Sequence, residues 1–237
     1  MTETRTPVVL LPGLLCDRAL WEAQIVALAD VADAWVADLT RDDTLAAMAA
    51  RVLAEAPFET FALAGFSMGG YVAFEVLRQS RGRVQRLALL DTSASLDTPA
   101  RRIERERFIA LAQRPKGFVP LTKATLPFLL PRVRLENDPA LVEAIRQMTE
   151  RVGARAYLNQ QRAMLGRGDS EPGLARIDVP TLVLCGELDD RTPPTIHRDM
   201  AARIPGARLV VIPDCGHMAP MECPEAVSDA MHAWLAN

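Results

Sequence analysis

The sequence is poor in the features that mark several large classes of protein. It has only three histidines, His197, His217 and His232, and its four cysteines, Cys16, Cys185, Cys215 and Cys223, form no C-x-x-C pair. Such sparse ligands exclude the usual structural zinc sites. Four cysteines in 237 residues also make no disulfide framework, so reduced and mostly buried thiols are expected. The net charge of -3 is weak and gives no basis for a nucleic-acid or anionic-membrane partner. Long apolar runs are missing as well. The run from Val8 to Leu11 stops at Pro12-Gly13, too short for a signal peptide or a bilayer span. Repeats, low-complexity tracts and interdomain linkers are absent. A cytoplasmic protein with no membrane partner is expected.

Short apolar runs do alternate with longer amphipathic ones. "VVLLPG", "ADAWVADL", "TFALAGF", "RLALLDTSA", "PTLVLCG" and "ARLVVIPDCGH" read as strands. The segments between them carry helical spacing, as in Thr44–Ala56, where Thr44 is placed to cap a helix. Continuous apolar strands separated by helices predict a doubly wound, mostly parallel sheet of about six strands, with helices on both faces. Its crevice should lie at the carboxyl ends of the strands. No strand is evident over 96–175, which reads as several short helices broken by prolines. The division expected is therefore a core of 1–95 and 176–237, with 96–175 inserted at the strand-end rim. Within the insertion, "TLPFLLP" (Thr125 to Pro131) either packs it onto the sheet or also roofs a pocket.

The stretch "LAGFSMGGYVAFE" places Gly65-x-Ser67-x-Gly69 where a strand turns into a helix. A bare match arises by chance in roughly one such chain in fifty, so the setting matters more than the letters. A turn this sharp forces its corner residue into a strained backbone, at about 1–3 kcal/mol. Glycines two residues to either side remove the collisions that side chains would cause. The Ser67 hydroxyl is thereby raised above the sheet, with the Met68 amide at a helix N-terminus that favours negative charge.

A serine hydroxyl needs a base. His217 follows the last strand at the same rim, whereas His197 and His232 fall inside helical patterns. The base in turn needs an acid to fix its tautomer. Asp189, in "LCGELDDRTPP", is the preferred candidate, and Asp91, at the end of another strand, is a rival. The loop "LLPGLLCD" offers the Leu14 amide as a second oxyanion donor beside that of Met68.

With these parts in hand, the sequence resembles the α/β-hydrolase superfamily over nearly its whole length. The resemblance rests on "GFSMGG", on the chain order Ser67, Asp189, His217, and on "CGHMAPMECPEAV", which is similar to a G-H-x-x-x-x-E-x-P ending. It implies Ser67, Asp189 and His217 as a catalytic triad and 96–175 as a helical cap. The sequence departs from the family in lacking an N-terminal antiparallel hairpin, in having Pro12-Gly13 where His-Gly is common, and in lacking a glycine-rich stretch after the second strand.

The function expected is a serine carboxylesterase acting on a small to medium, mostly apolar substrate. Lactonase, thioesterase, C–C bond hydrolase and acyltransferase chemistry would use the same triad, and a non-catalytic binding module is the alternative from another class. Phe128, Leu129, Met164 and Met218 are candidate lining residues; Phe108, Phe118 and Leu130 are others. Arg155 and Arg162 offer a partner for a substrate carboxylate, although a solvated helix face is the plainer reading of them. The mechanism requires no cofactor and no metal. The oligomeric state is left open.

Overall fold

The structure, a computed structural model, describes residues 5–114, 116–118 and 124–236. Pro115 and Pro120, two of the prolines expected to break the helices of 96–175, and the first four residues lie outside them. Six strands form one sheet: β1 (Thr6–Leu11), β2 (Ala32–Val36), β3 (Phe61–Phe66), β4 (Val84–Leu90), β5 (Thr181–Gly186) and β6 (Arg208–Ile212). Their order is β2-β1-β3-β4-β5-β6, and all five pairings are parallel. The expected doubly wound parallel sheet is therefore present, with no antiparallel strand among the described residues.

The continuous apolar strands follow from burial on both faces. In β1, Val8 and Leu10 enter one core with Trp21, Met231 and Trp234, which belong to the layer holding α1 (Glu22–Ala27) and α9 (Pro224–Ala236). Val9 and Leu11 enter a second core beneath α2 (Leu45–Glu55), α3 (Met68–Ser80) and α7 (Pro194–Arg203). Alternate residues of one run thus serve opposite cores, as the period of two requires. Thr44 caps α2 as expected, its hydroxyl accepting from the Ala47 amide at 3.2 Å. Chain order reverses at β1, between β2 and β3, so the loops after β1 and β3 diverge around a crevice.

The segment between β4 and β5 contains no strand among the described residues. It holds α4 (Pro99–Ala112), α5 (Arg132–Asn137) and α6 (Pro139–Leu165). The described helices are short, as expected, since α6 is itself two helices meeting at Gly153. The first starts at Pro139 under an Asp138 cap, and at the break Gly153 has φ 79° and ψ 172°. Leu130, Leu141, Ile145 and Met148 tie the segment to the core on the α1 and α9 side. Tyr157 and Ala112 form a smaller cluster with Leu15 from the loop after β1. The four cysteines are free thiols, three of them buried. No helix among the described residues is long and apolar enough to cross a membrane.

His197 is a structural residue on α7, wholly buried. Its Nε2 accepts from the Thr92 amide at 3.0 Å and its Nδ1 lies 3.3 Å from the Pro193 carbonyl oxygen, so the proton sits on Nδ1. Burial pushes its pKa down from 6.5 to about 4. Between those values the unfolded chain binds a proton that the folded one refuses. The histidine's contribution is full above pH 6.5 and is lost as the pH falls toward 4. The stability difference between wild type and His197→Gln, measured by urea unfolding, should therefore shrink by up to about 3 kcal/mol over that interval. A constant difference would contradict this assignment.

Candidate active site

The site begins at the corner between β3 and α3. Ser67 has φ 51° and ψ -113°, a strained conformation for a residue with a side chain. The flanking glycines are required by close approach. A Cβ on Gly65 would lie 2.5 Å from the Gly69 carbonyl oxygen, and one on Gly69 would lie 2.2 Å from that of Leu11 at the end of β1. The first contact is the collision anticipated across the turn; the second is with a neighbouring strand. Gly70, to which the sequence assigned no part, leaves room for the Thr92 side chain, 2.3 Å from a Cβ placed there. Thr92 donates its hydroxyl to the Ser67 carbonyl at 2.7 Å, and the Ser67 amide donates to the Leu90 carbonyl at 2.9 Å. The corner is fastened to β1 on one side and β4 on the other.

Ser67 Oγ lies 3.0 Å from His217 Nε2, and His217 Nδ1 lies 2.9 Å from Asp189 Oδ2. Asp189 also accepts from the Thr192 hydroxyl at 2.7 Å and from the Arg191 and Thr192 amides at 2.8 and 2.9 Å. Burial opposes its ionisation, but the His217 imidazole and the Thr192 donors outweigh that and hold its pKa at about 2. A carboxylate that only accepts fixes the proton of His217 on Nδ1. Nε2 is then left as a lone pair facing the Ser67 hydroxyl.

Asp91, the rival acid, is wholly buried nearby but does not take that position. Its Oδ1 accepts from the Gly186 amide at 3.0 Å, and its Oδ2 has no hydrogen-bond partner among the described residues. Burial, followed by the charge of Asp189, pushes its pKa well above the usual carboxylate range. Asp91, Asp189 and His217 converge closely enough to suggest a metal site. However, the Asp189 oxygens and His217 Nδ1 are committed to each other and to the loop, so the donor set does not fit an ion.

Two contacts hold the His217 loop that the sequence did not single out for this purpose. Glu222, buried on the short helix α8 (Ala219–Glu222), accepts from the amides on either side of the histidine, Gly216 at 2.9 Å and Met218 at 2.8 Å. The His217 amide donates to the Leu129 carbonyl at 3.2 Å, tying the loop to the run "TLPFLLP". The signal for Glu222 was present as the glutamate of the G-H-x-x-x-x-E pattern, but its geometry was not.

A cavity with about 870 Å³ of empty space, part of it open to solvent, lies above Ser67 and His217. Phe128, Leu129, Met164 and Met218 line it, together with Phe108, Ile145 and Met148. Phe118 packs instead against Tyr157, and Leu130 is buried in the core. The loop after β1 brings Leu14 to the cavity wall, and neither the Leu14 nor the Met68 amide donates to another group among the described residues. Arg155 and Arg162 are exposed and do not line the cavity. Arg101, Arg105 and Arg191 do, and nothing local in the sequence distinguished them from other surface charges.

The model of the Alpha/beta hydrolase family matches residues 8–230, and the chain belongs to that family. Among solved structures, a thermophilic esterase from Thermogutta terrifontis, determined with malate bound, is 34% identical, with a TM-score of 0.90 over 99% of this chain and 91% of that one. The enol-lactonase from Burkholderia xenovorans LB400 is 23% identical and shares the fold, with a TM-score of 0.88 over 99% and 92% of the two chains. The (E)-2-((N-methylformamido)methylene)succinate hydrolase of Acinetobacter baylyi is 29% identical over 175 residues, covering 73% of this chain and 64% of that protein. The protein is thus an enzyme of the hydrolase class.

The clamp on His217 is open to a direct test. Glu222→Ala leaves two buried amides without an acceptor, at about 1–3 kcal/mol each. Thermal and urea unfolding should both register this loss. A variant as stable as wild type would show that the carboxylate does not hold the loop.

Proposed function

We propose that the protein is a serine hydrolase that cleaves a carboxylic ester through an acyl-enzyme. The supporting observation is the continuous chain of contacts from Asp189 through His217 to Ser67, at 2.9 and 3.0 Å, opening into a largely apolar cavity. Ser67 Oγ attacks the ester carbonyl while its proton passes to His217 Nε2. The carbonyl oxygen becomes an oxyanion and accepts from the Leu14 and Met68 amides; one such donor is typically worth about 3–4 kcal/mol. Asp189, ionised and fully hydrogen-bonded, stabilises the imidazolium without taking its proton. The imidazolium then protonates the leaving alcohol as the C–O bond breaks. A water molecule repeats the sequence: His217 takes its proton, the acid is released, and Ser67 recovers its hydrogen.

In this reading residues 96–175 form a cap. They supply Phe128, Leu129 and Met164 to the cavity and the Leu129 carbonyl to the His217 loop. That wall suits a small to medium substrate with an apolar body. Lactones, thioesters and C–C bonds next to a carbonyl would be opened by the same nucleophile, and no contact in the cavity favours one of them over an ester. A binding module that keeps the fold without the chemistry has no need of a hydroxyl aligned on an oriented imidazole.

Hydrolysis of p-nitrophenyl butyrate provides the test. Ser67→Ala should lower kcat/KM by at least about a thousandfold. In Asp189→Asn the amide can donate to His217 Nδ1 and favour the wrong tautomer, so kcat should fall by about 10³–10⁴ with KM little changed. Normal turnover by Ser67→Ala would rule the mechanism out.

A further inference from the structure

One end of the cavity is cationic. Arg101 and Arg105 stand one turn apart on α4, Arg191 lies just past Asp189, and all three line the cavity. Beside them Arg167 stacks on Tyr71, its guanidinium 4.3 Å from the ring centre. Two carboxylates serve three of these four cations. Asp97 pairs with Arg105 at 2.6 Å and with Arg167 at 3.0 Å, all nearly buried, and Glu104 lies 3.4 Å from Arg191. Arg101 has no carboxylate within ion-pair distance among the described residues; its guanidinium donates to the Arg191 backbone carbonyl. Burial, then the like charge of Arg191, hold its pKa below the ordinary arginine value. A guanidinium stays charged at neutral pH regardless, so deprotonation does not relieve the cost of placing it here, whereas an arriving anion does.

A neutral donor completes this end of the cavity. The Arg105 guanidinium donates to Gln161 Oε1 at 3.0 Å, and Gln161 Nε2 donates to the Tyr157 hydroxyl at 2.8 Å. Tyr157 is wholly buried and lines the cavity, and burial pushes its pKa up to about 12. Because its oxygen already accepts from Gln161, its own proton is left to be donated.

We propose that Arg101, backed by Arg191 and joined by the Tyr157 hydroxyl, forms a carboxylate-binding subsite, so that the preferred substrate carries a free acid group in addition to the scissile ester. The class of substrate is a monoester of a dicarboxylic acid, or an ester whose alcohol bears a carboxylate, with an apolar segment between the two groups. A guanidinium gives a carboxylate charge and paired donors, whereas an apolar group in the same place would leave those donors unsatisfied. The inference rests on reading Ser67 as an esterase nucleophile.

Two matched pairs of esters test it by pH-stat: methyl hydrogen glutarate against methyl valerate, and 4-acetoxybenzoate against 4-cresyl acetate. Within each pair a carboxylate replaces a methyl group. Wild type should show at least a tenfold higher kcat/KM for the anionic member of one pair. Arg101→Gln should bring that ratio close to one, and Arg101→Lys should keep part of it. Binding of glutarate, followed by calorimetry, separates this inference from the reading of Ser67. Ser67→Ala should bind glutarate as wild type does and Arg101→Gln at least tenfold more weakly, even if no ester is turned over. A ratio at or below one for both pairs, a ratio unmoved by Arg101→Gln, or glutarate binding indifferent to that substitution would each overturn the subsite.

Discussion

A serine held at φ 51° and ψ -113° between a strand and a helix is the constraint on which the site depends. The conformation costs about 1–3 kcal/mol and persists only where neighbouring structure over-determines it. Here the neighbours are strands. Gly69 packs against the last carbonyl of β1, while Thr92, just past β4, bonds the Ser67 carbonyl and fills the space left by Gly70. The corner therefore exists because β3 lies between β1 and β4 in the sheet, with the parallel register bringing all three carboxyl ends to one level. The same level carries the loops after β5 and β6, which is how Asp189 and His217, 28 residues apart, meet the serine.

The electrostatics follow from burial and bonding around three carboxyl groups. Asp189 accepts from two amides, a hydroxyl and the imidazole, and stays ionised down to about pH 2. Asp91, close by, accepts from one amide and faces the Asp189 charge; its pKa is driven upward. Glu222 is raised as well, by burial, although two amides donate to it. Similar groups are thus pushed to opposite sides of their ordinary range, and the negative charge is concentrated on the carboxylate that touches the histidine.

Much of this was legible where the signal was local. Six apolar runs between helical segments gave the sheet, because residues buried on both faces must be apolar in succession. The spacing of Gly65, Ser67 and Gly69 marked the corner, because backbone contact at that turn tolerates no side chain. What remained illegible depends on where separate elements come to rest. Asp91 and Asp189 both end strands, and only the course of the loops decides which meets His217. A charged residue on a helix looks solvated in any sequence: Arg155 and Arg162 are indeed exposed, while Arg101 and Arg105 face the cavity because α4 packs on α6.

The central claim is that Ser67 is a nucleophile activated in place by His217. Treatment with a fluorophosphonate, followed by mass mapping of the digested protein, tests it most directly. The account expects one adduct per chain, on the peptide and at the residue Ser67, with esterase activity lost in proportion to labelling and no labelling in Ser67→Ala. An unlabelled protein that hydrolyses esters, or an adduct on another residue that tracks the loss of activity, would contradict it.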